Sequence, residues 1–73
     1  MEEKLYNRVK ELRARKRLTQ QALADDAGVT RQTIAAIEKG DYLPSVLLAL
    51  KISDVFCMNL EEVFSIKKGW DEG

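Results

Sequence analysis

Thr19–Gly40 reads TQQALADDAGVTRQTIAAIEKG, and the placement of its capping and apolar residues decides the fold. Thr19 offers a hydroxyl to a helix start and Gly28 a left-handed residue to a helix end, which predicts a two-turn helix from Gln20 to Ala27. Leu23, Ala24 and Ala27 share its inner face. Thr30 and Gly40 frame a second helix in the same way, Arg31 to Lys39, with Ile34 and Ile37 inward. Two short helices on so tight a link can cross steeply only where small residues permit close approach, and Ala24, Gly28 and Val29 supply that. The second helix then stands proud of its neighbours.

At 100° per residue, with Ile34 as zero, Ile37 and Glu38 fall within about 60° on the buried side, while Gln32 and Ala36 fall near 160° and 200° on the outward ridge. Lys39 lies beside that ridge and Thr33 flanks it. Arg31, at the helix N-terminus, can reach outward. Such a ridge suits the major groove of DNA: Gln can pair bidentately with adenine, Arg with guanine, and Thr or Ala methyls can touch thymine. The N-terminus of the preceding helix, with its free N–H groups and the Gln20 amide, can hold a phosphate. A polar ridge alone is common on solvated helices; it is the combination with two capped helices, the turn glycine and the paired isoleucines that points to DNA.

Outward from this stretch, Leu5, Val9 and Leu12 recur at spacings of four and three, predicting an amphipathic helix between Lys4 and Lys16. Asp41 to Pro44 read as a turn. Ser45 then caps a longer helix that Leu47, Leu48, Leu50, Ile52, Val55 and Phe56 nearly surround, which places it deep in the core. Asn59 caps a last short helix through Leu60, Val63 and Phe64. The alternation from Val63 to Ile66 permits a short terminal β-ribbon with the N-terminus, and Ser65 to Gly73 shows no clear helical pattern. The expected architecture is all-α, five short helices, as one domain over residues 1–66 followed by a tail over 67–73.

Seventy-three residues make a single domain, because a chain this short buries only about 60% of its unfolded surface. With 45% apolar and 33% charged residues it should fold, and a domain of this size gains from self-association. Net charge is zero, but residues 1–40 carry nine Lys/Arg against six Asp/Glu and residues 41–73 three against six, so the Thr19–Gly40 motif lies in the positive half. The single Cys57 and the absence of histidine leave no internal disulfide, zinc set or Cys/His catalytic pair. Cys57 is expected to be a small semi-buried hydrophobe rather than a sensor thiol. No run of 18 apolar residues and no basic-then-apolar N-terminus is present, so a cytoplasmic location without membrane contact is expected. Neither a cofactor, a metal, a small-molecule ligand nor catalysis is expected.

LRARKRLTQQALADDAGVTRQTIAAIEKGDYLPSVLLALKISDVF and the following NLEEVF resemble the Cro/cI-type (Xre-like) helix-turn-helix regulators with the lambda-repressor-like fold. The chain looks most similar to compact single-domain repressors of the cytolysin repressor type. That resemblance implies double-stranded DNA as the partner. It implies that Gln20, Thr30 and Lys39 contact phosphates while Arg31, Gln32, Thr33 and Ala36 face bases. It also implies a largely buried Arg13–Glu38 ion pair, which the inward position of Glu38 supports independently, because a buried carboxylate needs a partner. Asp25, Asp26 and Asp41 depart from the pattern; many relatives carry a basic residue where Asp41 stands, which lowers the expected non-specific affinity. Cys57 occupies a position commonly held by glycine.

The function these features favour is a sequence-specific transcriptional regulator, a repressor, binding a pseudo-palindromic operator as a homodimer. Its seam is expected to use the last helix and tail through Leu60, Val63, Phe64, Ile66 and Trp70, although Trp70 reads equally well as a loose tail residue. Alternatives on the same fold are a protein-interaction module, an antitoxin or a restriction-modification controller.

Overall fold

Residues 4–67 are described by the computed structural model. They run in the order β1 (Tyr6–Asn7), α1 (Val9–Arg15), α2 (Gln20–Ala27), α3 (Arg31–Lys39), α4 (Val46–Val55), α5 (Leu60–Val63) and β2 (Phe64–Ser65). The five helices are those expected, and the permitted ribbon forms: β1 pairs antiparallel with β2, Tyr6 opposite Ser65 and Asn7 opposite Phe64. α1 is shorter than the Lys4–Lys16 expectation. Asn7 is the reason: its Oδ1 accepts the Val9 N–H at 3.1 Å, satisfying a donor that a helix start leaves free, while residues 6–7 extend along β2. Leu5 leaves the helical stripe but still packs on the core.

Hydroxyl caps open three helices. Thr19 accepts from the Ala22 N–H, Thr30 from Thr33 and Ser45 from Leu48. At α5, Asn59 and Glu62 form a reciprocal capping box, the Glu62 carboxylate accepting the Asn59 N–H at 2.8 Å.

Four helices also close alike. The N–H groups of Leu18, Val29, Asp41 and Met58 each bond a carbonyl five residues back, and those of Arg17, Gly28, Gly40 and Cys57 one three residues back. This double closure requires a left-handed residue, and Arg17 (φ 58°), Gly28 (76°), Gly40 (83°) and Cys57 (57°) provide it. At three of the ends the next residue, Leu18, Val29 or Met58, turns back onto the core. Cys57 is therefore exposed rather than semi-buried, since the left-handed turn swings its side chain to solvent while Met58 takes the inward place.

The core is drawn from every helix: Val9 and Leu12 of α1, Leu23 of α2, Ile34 and Ile37 of α3, Ile52 of α4 and Val63 of α5 are essentially inaccessible. α4 departs from expectation. Only Leu48, Ala49, Ile52 and Ser53 of this helix are buried, while Val46, Leu47 and Leu50 are 71%, 63% and 48% exposed. An apolar circumference is buried fully only where it is packed on all sides, and the described residues cover one side of α4.

One ion pair crosses the interior. Arg13 on α1 donates from Nε to Glu38 Oε2 at 2.8 Å and from Nη2 to Oε1 at 3.4 Å, while its Nη1 reaches the Leu18 carbonyl at 2.9 Å. Gln20 on α2 adds Nε2 to Glu38 Oε1 at 3.1 Å. The side chains are only 17% (Arg13) and 5% (Glu38) exposed, so the fork between two charged groups operates where water screens little. Glu11 differs: it lies on the surface of α1, where the Arg8 hydrogen bond, helped by the nearby Arg15 charge, holds its carboxyl below the usual range; exposed pairs of this kind add little.

Arg13→Ala should lower unfolding free energy by about 3 kcal/mol, because it strands the Glu38 charge with a single amide donor; urea denaturation measures it. Cys57→Gly should raise stability by about 0.5–1 kcal/mol by relieving left-handed strain. Gly40→Ala should lower it by about 1 kcal/mol through backbone strain alone, since an added Cβ there meets nothing within 4 Å.

Candidate DNA-binding surface

α3 is held on its inner side by Ile34 and Ile37 in the core and by Glu38 in the Arg13–Gln20 network. Its rotation about its own axis is thereby fixed, and the residues opposite are turned to solvent. Arg31 and Gln32 are exposed in the first turn and Lys39 in the last. Neither Arg31 nor Lys39 takes part in an ion pair among the described residues, so both cations are available to an outside anion.

Thr33 and Ala36 are half-buried. The Thr33 N–H donates to Thr30 Oγ1, and the two hydroxyls lie 3.1 Å apart. The Thr33 hydroxyl is thus already engaged in the cap. Ala36 exposes part of a small side chain while its carbonyl accepts the Asp41 N–H. Gln20 is also half-buried; one N–H of its amide goes to Glu38, and a primary amide keeps a second donor. Thr30 is exposed at the α3 cap, and Asp41 is exposed just beyond its end.

The residues expected at a subunit seam divide differently. Val63 (0% exposed) and Phe64 are taken up by this chain's own core, Leu60 is partly buried, and Ile66 is 61% exposed. Trp70 lies outside the described residues. The exposed face of α4 was missed by sequence reasoning, although the apolar residues all around that helix were its signal. Asn7 was missed as well: its Nδ2 donates to the Ile37 carbonyl at 3.0 Å, across 30 residues.

A helix flanked by caps, crossing a partner through a glycine turn and presenting Arg, Gln and Lys outward, can lie in a groove of DNA and place donors at base edges and phosphates. No three His, Cys, Asp or Glu residues cluster for a metal among the described residues, and none of the described helices is long and apolar enough to cross a membrane.

Comparison with known proteins agrees with the geometry. A family model described as helix-turn-helix matches residues 9–63, from the start of α1 to the end of α5. The HTH-type transcriptional regulator YgzD of Bacillus subtilis (strain 168) is 60% identical over 64 residues, covering 88% of this chain and 97% of that protein. The HTH-type transcriptional regulator MJ0272 of Methanocaldococcus jannaschii is 52% identical over 60 residues, 82% of this chain and 91% of the relative. Among solved structures, the restriction-modification controller protein C.AhdI from Aeromonas hydrophila superposes with a TM-score of 0.72 at 31% identity, over 75% of this chain and 83% of that one. This is a family of regulators and not of enzymes. The chain belongs to the helix-turn-helix family of DNA-binding transcriptional regulators, of the Xre/Cro-cI-like kind.

Proposed function

We propose that the protein is a sequence-specific repressor that binds a pseudo-palindromic operator in double-stranded DNA as a homodimer, in the manner of compact single-domain regulators. Arg31, Gln32, Thr33 and Ala36 face the bases, and Gln20, Thr30 and Lys39 the phosphates. The supporting observation is α3 itself, whose inner side is locked by Ile34, Ile37 and Glu38 while Arg31, Gln32 and Lys39 are left uncovered.

The apolar face of α4 supports self-association. Leu43, Val46, Leu47 and Leu50 are between 48% and 71% exposed, and Leu50 neighbours both Val46 and Leu47 on the helical surface. Val46 also borders a groove of about 440 Å³ with Leu5, Pro44, Leu60, Phe64 and Ile66. Burying a Leu or Val is worth about 1.5–3 kcal/mol. Covering what four such side chains leave open, on each of two copies, supplies on the order of 10 kcal/mol against an association cost of about 4–15 kcal/mol. The product is a dimer of moderate strength that two half-sites on one DNA would reinforce. The seam then centres on α4, with Leu60 and Ile66 at its edge and Val63 and Phe64 supporting it from beneath. The likeness to C.AhdI favours one second reading, a restriction-modification controller; methylase and nuclease genes beside this one would decide for it.

Selection from a random duplex pool should return an inverted repeat, and binding should fall steeply as salt rises. Gln32→Ala should cost about 1–3 kcal/mol at one base position per half-site and relax the preference there; an unchanged preference refutes the base-reading role. Leu47→Glu combined with Leu50→Glu should give a monomer by sedimentation with its helical spectrum retained, and a wild-type chain that sediments as a monomer at high micromolar concentration refutes the seam.

A further inference from the structure

We infer that the N-terminal strand is a second DNA-facing element, with Lys4 neutralising a backbone phosphate beside Lys39 at the C-terminal end of the recognition helix. This rests on the DNA-binding reading above and adds a contact outside the helix-turn-helix.

The placement comes from a tether. Asn7 holds β1 against α3 through its hydrogen bond to the Ile37 carbonyl and fixes the start of α1 through Val9. The ribbon with β2 anchors the same strand from its other side. Three residues before Asn7, Lys4 is carried to the end of α3, where it lines a hollow of about 160 Å³ together with Tyr6, Asn7, Glu38, Lys39 and Gly40. Two lysines 35 positions apart in the chain thus border one small depression.

Charge favours an outside anion there. Among the described residues the one acid lining the hollow is Glu38, and both its carboxylate oxygens are bonded to Arg13 and Gln20. Lys4 and Lys39 are exposed and form no ion pair among the described residues. The Lys4 ammonium instead lies 5.6 Å from the centre of the Tyr6 ring, a contact that steers a cation without neutralising it. Bare carbonyls at the end of α3 would repel a phosphate, and two of them are engaged: Ile37 accepts from Asn7 and Gly40, and Ala36 from Asp41. Asp41, exposed just past α3, removes a grip that a basic residue would give at that point, and Lys4 restores a positive charge from another segment.

The test is a salt titration of duplex binding by fluorescence anisotropy, using the operator and a scrambled duplex, with wild type, Lys4→Ala, Lys4→Arg, Lys39→Ala and Lys10→Ala. Lys10 is exposed on α1 outside the hollow and controls for the loss of one charge. Lys4→Ala should reduce the slope of log affinity against log salt by about one, as Lys39→Ala does. It should weaken both duplexes by the same factor and leave the melting temperature unchanged, and Lys4→Arg should retain the wild-type slope. An unchanged slope in Lys4→Ala, or an equal fall in Lys10→Ala, overturns the contact while leaving the regulator reading intact. Wild-type affinity that does not vary with salt overturns both.

Discussion

Glu38 belongs to α3, the helix proposed to meet DNA, yet its carboxylate is held inside the domain by Arg13 of α1 and Gln20 of α2. That one constraint determines much of the rest. A nine-residue helix fixed only by Ile34 and Ile37 would have no directional contact to set its rotation, since the hydrophobic effect is non-directional. A forked guanidinium–carboxylate pair in a poorly hydrated place has a direction. It ties the angular position of Gln32 and Arg31 to the frame of the domain, which the proposed base reading requires. Gln20 takes part in the brace from the N-terminus of α2, so α2 and α3 are registered to each other by the group that registers both to α1.

Around that brace the fold is written mostly in short-range signals, and these were legible. Thr19, Thr30, Ser45 and Asn59 mark helix starts because a side-chain oxygen beside a free N–H is a local matter. Gly28 and Gly40 mark helix ends because few other residues enter the left-handed region cheaply. The same closure at Arg17 and Cys57 was hidden, since those residue types give no sign of positive φ. The inward turn of Glu38 followed from counting residues around a helix, whereas its pairing with Arg13 was implied by family likeness.

Long-range geometry was less accessible. Nothing near Asn7 announces a bond to Ile37, and an isolated lysine at position 4 says nothing about the end of α3 until the chain closes on itself. α4 is instructive in another way. Its apolar circumference was read as deep burial, but hydrophobicity tells only that a surface avoids water, not whether the same chain or a second one covers it. For the same reason Val63 and Phe64, expected at a seam, are buried in this chain's own core, whereas exposed apolar side chains lie on α4 and at Ile66.

The domain thus has two exposed faces to which function is proposed: a polar ridge on α3, with the N-terminal strand beside it, and an apolar face on α4 with its groove. They are joined by the β1–β2 ribbon, whose Asn7 bonds α3 at the Ile37 carbonyl and whose Phe64 lines the groove. That the ridge enters the major groove is tested most directly by methylation protection on a selected operator, because guanine N7 is open only on that side. Protected guanines should fall in two clusters about 10 base pairs apart on one face of the duplex. Guanine N7 left fully reactive, with protection confined to minor-groove adenine N3, would contradict it.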